Sequence, residues 1–396
     1  MSIPSDMLSK APEQLDFPDS PLSNMVKQPL MLGLFLPTQN GGFSQSLFPR
    51  STEWSFDYNR KLVSIAEAAG FDFAFSLQQW IRKGGWGGEI KYRENFLDPF
   101  VTTVGLSAVT KRMVFISTVH ILYGNLHPLY MARFAATTDH IAKGRFGINV
   151  VTGYDAREPQ MFGMGRPDHD MRYQQADEFA AIMEDLWGGA DNLTFKGNWY
   201  DLDQAYISPR PCYGRPIMVS ASASPAGFDY AAKHSDIVFT SSRSGAPYEK
   251  AMNSIPTITG EIRAAYEKTE RTGKSIIFPM IICKATHGEA VDYANAIASM
   301  PDRESIANYD ARHKGGDAHG WVEHVPADRV LGGHVQIIGS PEEVADQLEG
   351  LHRGGIDGVQ LGFYDYEPEL KYFIEAVIPI LERRGLRKRV ALSTAA

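Results

Sequence analysis

The feature that most constrains the fold is a repeated alternation. Short apolar runs fall at residues 30–37, 71–78, 113–120, 145–151, 216–222, 236–241, 275–285 and 358–364. Most are continuous rather than alternating in polarity, which is how strands buried on both faces read. Helical patterns separate them. Tyr58, Leu62, Ile65, Ala66 and Ala69 form one apolar stripe, which Gly70 ends. Pro128 opens the helix after the third run. Ala176, Phe179, Ala180, Met183 and Trp187 form the stripe after the fourth, closed by Gly188, with Asp170 as its expected cap. Ser340, Pro341 and Glu343 form a capping box, and a last helix is expected over about 368–384. Eight strand–helix repeats are the count of a closed (β/α)8 TIM barrel. The alternative is an open doubly wound sheet, which usually carries a Gly-rich phosphate turn after its first strand. Here that strand runs into Pro37-Thr38-Gln39-Asn40-Gly41-Gly42, which is not GxGxxG.

The barrel accounts for residues 30–390 as one domain, preceded by an amino-terminal arm, 1–29, that is polar and aperiodic and lacks a signal-peptide core. Two stretches are too long for simple connections and read as insertions at the C-terminal face. One is 79–95, with Gly84-Gly85-Trp86-Gly87-Gly88; the other is about 286–333, with His313, His319 and His324. Charge narrows the partners. Lys plus Arg number 39 against 47 Asp plus Glu, a net −8, which disfavours nucleic acid and anionic lipid surfaces. No apolar run reaches the length of a membrane span. Cys212 and Cys283 are too few for a disulfide framework, and a reduced cytoplasmic protein is expected.

Motifs for common chemistries are missing. There is no Walker A pattern and no GxSxG elbow, and Gly163-Met164-Gly165 does not follow a strand. The histidines near 313–324 lack ligand spacing, so no metal is expected, and Asp168, His169 and Asp170 read as a helix start. Cys283 reads as a small core residue. What remains is the strand ends, where barrel chemistry sits. Gln78, Gln79, Thr118, His120, Asn149, Thr152, Ser222 and Ser224 fall there. Amides and hydroxyls of this kind hold a neutral heteroaromatic ligand but supply no strong nucleophile, which fits a site where a cofactor carries the chemistry. One feature is sharper. The fifth strand ends Ser222-Ala223-Ser224-Pro225-Ala226-Gly227, with Ser224 as N-cap and Pro225 at the first helical position. Such a helix start holds a phosphate, and Arg172 is a candidate cationic partner.

Residues 144–154, Gly144-Arg145-Phe146-Gly147-Ile148-Asn149-Val150-Val151-Thr152-Gly153-Tyr154, closely resemble the fourth-strand signature of the bacterial luciferase-like flavin monooxygenases. The stretches 57–61, 70–76, 169–173 and 338–345 resemble the same family, most nearly its pyrimidine (uracil) and dimethyl sulfone monooxygenases. The resemblance covers roughly residues 30–385. It implies a TIM barrel that uses reduced FMN (FMNH2) and O2, oxygenating a small organic substrate through a (hydro)peroxyflavin. It further implies a separate NAD(P)H flavin reductase as partner and a homodimer or homotetramer. Carried over by position, Gln78 and Gln79 touch the ring region and Asn149 lies beside the isoalloxazine. Glu158, Arg172 and Tyr173 border the ribityl phosphate side, and Ser224 binds the phosphate. Thr118 and Asn149 frame the oxygen site, and His120 is the candidate for proton transfer. Gln78 and Gln79 stand where the pyrimidine enzymes have Ile-Lys. Arg303 and Arg312 lie in the stretch where sulfonate enzymes carry an Arg-rich lid. A deazaflavin-dependent dehydrogenase on the same barrel, or a non-catalytic flavin-binding protein, are the alternatives.

Overall fold

The computed structural model describes residues 11–123, 126–153, 155, 157–165, 169–189, 191–314 and 323–390. Its strands in chain order are β1 (Met31–Phe35), β2 (Phe73–Ser76), β3 (Val114–His120), β4 (Phe146–Val151), β5 (Leu193–Lys196), β6 (Asp201–Ala205), β7 (Ile217–Ala221), β8 (Ile237–Thr240), β9 (Lys274–Ile277), β10 (Pro279–Cys283), β11 (Val335–Gly339) and β12 (Gly358–Phe363). Parallel pairing runs β1-β2-β3-β4-β7-β8-β9-β12 and closes through β12 onto β1, with Met31 opposite Gly358. This is the expected (β/α)8 TIM barrel. Every residue of β1, β2, β3, β8 and β12 is buried, so the strands are apolar on both faces because helices cover the outer one. Gly33 leaves room inside the barrel for the ring of Phe73; a Cβ there would lie 2.2 Å from it.

The structure departs from the sequence reading in five places, one of them the unexpected antiparallel hairpin of β5 and β6. The run 275–285 is two strands split at Phe278, because Pro279 has no N–H for the ladder and the Phe278 carbonyl instead accepts from His334 N at 2.8 Å and Val335 N at 3.2 Å. That turn starts β11, an extra strand paired in parallel with β10 outside the closed ring. The last helix is two, Tyr366–Ala376 and Ile378–Arg383, broken ahead of Pro379. A short helix, Arg157–Met161, follows β4, and the long helix expected there is described over His169–Gly188, so Asp170 lies within it rather than at its cap; Asp168 and the side chains of His169 and Asp170 lie outside the described residues. Finally, residues 11–29 of the polar, aperiodic arm pack against the barrel. Glu13 pairs with Arg271 at 2.6 Å, Gln14 donates to Gly144 O at 2.8 Å, and Leu22 and Met25 join the main core. They cover the N-terminal face, where Arg215 and Asp236 form a buried two-bond pair at 2.7 Å each. With its far face closed, the barrel opens at the C-terminal ends of its strands.

Candidate active site

At that end lies a cavity of about 280 Å³. Its floor is aromatic. Phe35 stacks on Phe43 at 4.1 Å, Phe43 meets Phe278 at 5.0 Å, and Phe239 lies parallel to the His334 ring at 5.1 Å. Burial pushes the His334 imidazole down to about 3, so it is neutral at physiological pH. All nine site residues expected from the sequence line this one cavity: Gln78, Gln79, Thr118, His120, Asn149, Glu158, Arg172, Tyr173 and Ser224. The barrel brings them together because Thr118 and Asn149 are register partners on β3 and β4, and the others follow strand ends or start helices.

Three neighbourhoods can be distinguished. In the first, Asn149 Nδ2 donates to Thr118 Oγ1 at 3.0 Å, and both side chains are almost fully buried. Asn149 Oδ1, Gln79 Nε2 and Thr240 Oγ1 are buried and have no hydrogen-bond partner among the described residues. Leaving such atoms unpaired costs roughly 1–3 kcal/mol each, and all three residues line the cavity. In the second, the Tyr123 hydroxyl donates to Glu158, His120 Nε2 lies 3.6 Å from the same carboxylate, and the His120 ring stacks on Tyr123 at 5.0 Å. Gln78 orders this group, its Oε1 accepting from His120 N at 2.9 Å. In the third, Ser224 caps the helix Pro225–His234, accepting from Gly227 N at 3.3 Å. A Cβ on Gly227 would lie 2.9 Å from both Ser222 Oγ and Tyr173 Oη, so glycine keeps this corner open. Arg172 is buried there and donates to Gly153 O.

The insertions supply residues that strand-end reasoning missed. The 79–95 loop brings Tyr92 and Arg93, and the 286–333 stretch brings Tyr309, Arg329, Gly332 and Gly333. Trp86, outside the cavity lining, clasps Tyr309, which is part of it: its ring meets Tyr309 at 5.2 Å, Arg157 sits over it at 4.4 Å, and its carbonyl accepts from Asn308 at 2.8 Å. Arg303 is exposed and does not line the cavity, while His319 and the side chains of Arg312 and His313 lie outside the described residues. His324 is committed to Ser242 O at 3.0 Å. Burial pushes the Cys283 thiol up to about 12, which leaves no thiolate for chemistry.

A parallel barrel whose mouth gathers amides, hydroxyls and a capped helix start over an aromatic floor belongs to the cofactor-holding barrel enzymes. The chain belongs to the luciferase-like monooxygenase family, whose sequence model matches residues 31–358. It is 30% identical over 379 residues to the FMNH2-dependent dimethylsulfone monooxygenase of Pseudomonas fluorescens, spanning 93% of this chain and 99% of that one. It is 31% identical over 365 residues to the pyrimidine monooxygenase RutA of Allorhizobium ampelinum, spanning 89% and 96%. Among solved structures, the long-chain alkane monooxygenase LadA superposes with a TM-score of 0.78 at 23% identity, covering 92% of this chain and 94% of that one, a likeness of fold.

Proposed function

We propose that this chain is a two-component monooxygenase that takes reduced FMN from a separate NAD(P)H flavin reductase and oxygenates a small organic substrate. The stoichiometry is S + FMNH2 + O2 → SO + FMN + H2O, so substrate receives one oxygen atom and water the other. The dimethylsulfone relative is named for its dependence on FMNH2, which supports the cofactor. The observation that carries the reading is the set of three uncommitted buried atoms, Asn149 Oδ1, Gln79 Nε2 and Thr240 Oγ1, beside a capped helix start. Acceptor, donor and hydroxyl match the mixed polar edge of an isoalloxazine, and the helix start matches its phosphate tail. The residues therefore fit the group.

Gln78, Gln79 and Asn149 would hold the ring edge, Glu158 and Tyr173 the ribityl side, and Arg172 and Ser224 the phosphate. When bound, reduced flavin supplies the two electrons that activate O2. The protein does the rest. Thr118 accepts from Asn149, so its own hydroxyl proton would remain available to donate to oxygen. His120, held between Gln78 and Glu158, stores and returns a proton. The phenylalanine floor and the Trp86 clasp keep water out, so that reducing equivalents reach substrate rather than H2O2.

The test is anaerobic titration with FMNH2, followed by a reductase-coupled panel of heterocycles, sulfones, sulfonates and aromatic acids scored for oxygenated product. Absence of FMNH2 binding ends the proposal. Oxygenated product that requires O2 and forms with FMNH2, with no substrate reduction or oxidation by the deazaflavin couple, separates it from the dehydrogenase alternative, and product formation separates it from a non-catalytic flavin carrier. Two further parts of the proposal are a cytoplasmic setting and self-association. Among the described residues, no helix is long and apolar enough to cross a membrane. Val101, Tyr130 and Phe134 are exposed on the neighbouring helices Pro99–Ala108 and Pro128–Ala142, an apolar face suited to a second copy in a dimer or tetramer. Light scattering on Tyr130→Arg should show a smaller species.

A further inference from the structure

The half of the cavity away from Ser224 has a different chemistry. Its central residue is Arg93. The backbone there sits at φ +63°, a left-handed conformation that a residue with a Cβ adopts only when its surroundings impose it. Asn40 imposes it: its Nδ2 donates to Ile90 O at 2.7 Å and Lys91 O at 2.8 Å, its Oδ1 accepts from Asn95 N at 2.8 Å, and its carbonyl accepts from Arg93 N at 3.1 Å. Gly85 completes the turn, since a Cβ there would lie 2.3 Å from Tyr92 O. A strained, cross-braced loop thus delivers one guanidinium into the cavity, only 7% exposed.

That guanidinium lies over aromatic rings, 4.9 Å from Tyr92, 5.5 Å from Tyr309 and 5.8 Å from Phe43, and donates to Gln79 Oε1 at 3.1 Å. Arg329 approaches the same Tyr309 ring at 5.1 Å. Guanidinium stays charged under all ordinary conditions. Among the described residues that line the cavity, Glu158 is the one carboxylate, and it is engaged by Tyr123 and His120. So Arg93 and Arg329, besides the Arg172 already assigned to the phosphate corner, share the cavity lining with Phe35, Phe43, Phe239 and Phe278, while the chain as a whole carries −8. Rings of this kind accept a flat apolar body, and a buried planar fork selects a carboxylate.

We propose that the substrate is a small aromatic acid whose ring lies on the phenylalanine floor and whose carboxylate is held by Arg93, with Arg329 as second cation. Arg93 is then the residue that determines specificity. The inference rests on the monooxygenase reading for what happens to the bound acid, but the recognition itself is testable without turnover.

Calorimetric titration of the full-length protein with benzoate, benzamide and benzenesulfonate is the experiment. Benzoate should bind at least about tenfold more tightly than benzamide, the scale of a charge-assisted hydrogen bond. Arg93→Gln should bring that ratio close to one, and Arg329→Gln should lower it by less. Equal affinity for acid and amide, binding of neither, or an unchanged ratio in correctly folded Arg93→Gln overturns the proposal. Benzenesulfonate binding as tightly as benzoate overturns the carboxylate assignment. If Arg93→Gln does not fold, the acid–amide comparison on the native protein decides. FMNH2 titration of the same preparation separates the two claims: binding of FMNH2 without acid preference removes only this inference, whereas acid preference without FMNH2 binding removes only the monooxygenase reading.

Discussion

Replacing Asn149 by alanine should weaken the flavin site and leave the apoprotein nearly as stable as before. The substitution removes the bond from Nδ2 to Thr118 Oγ1 at 3.0 Å, a net loss of about 0.5–1.5 kcal/mol. It also removes Oδ1, which is buried without a partner among the described residues, and relieving such an atom returns about 1–3 kcal/mol. The two effects offset, so the melting temperature of the apoprotein should move by less than about 3 °C. Binding of reduced FMN, which fills that acceptor in the proposed complex, loses one hydrogen bond and weakens about 2- to 13-fold. Coupled oxygenation should fall further than binding, because the same change also leaves Thr118 without its neighbour. The assays are thermal melting of the apoprotein, anaerobic titration with FMNH2, and the ratio of product to H2O2. A melting temperature lowered by much more than about 3 °C with unchanged flavin affinity would show that Asn149 is a packing residue and refute the reasoning.

Three other outcomes follow from the same geometry. Ser224→Ala, alone and with Arg172→Ala, should weaken FMN binding while leaving riboflavin binding unaltered, and lose about 0.5–2 kcal/mol of helix capping in urea melts; equal loss for both flavins argues against a phosphate site. Trp86→Ala removes the ring that joins Tyr309 and Arg157, and should raise H2O2 released per NAD(P)H consumed in the reductase-coupled assay. Asp139 is buried and its carboxyl is pushed from 3.8 up to about 6, chiefly by desolvation. The folded state therefore holds this proton where the unfolded chain releases it. The stability is complete below the unfolded value and is lost as pH rises through about 6, amounting to about 3 kcal/mol. Asp139→Asn should abolish that part of the slope between about pH 4 and pH 6 in denaturant titrations, and an identical slope in both proteins would refute it.

How much was legible follows from where each signal resides. The barrel strands carry their fold locally, because burial on both faces leaves little choice but continuous apolar residues. The strand residues that line the cavity were legible because they are polar where the runs are apolar, as Thr118 and Asn149 are. Ser224 was readable from capping chemistry alone. The hairpin of β5 and β6 was missed although Gly197 and Asn198 mark its turn, since its strands are half exposed and short. The break at Phe278 was signalled by Pro279, but the apolar run on either side concealed it. Arg93 and Arg329 had no local signal at all. One reaches the cavity through a left-handed backbone imposed by Asn40, and the other arrives on a four-residue helix, Asp328–Leu331, from the far end of an insertion. Positions set by long-range bracing are invisible to periodicity.

The pairing of β11 with β10 runs from Pro279↔Val335 to Cys283↔Gly339. It anchors the return leg of the 286–333 excursion directly to the chamber wall at Phe278, while the outward leg departs from the same strand. Both ends of the excursion are therefore moored to one fixed post. His334, whose N–H donates to Phe278 O at 2.8 Å, is therefore held from the barrel side, so an insertion or deletion engineered between the two legs should leave it in place.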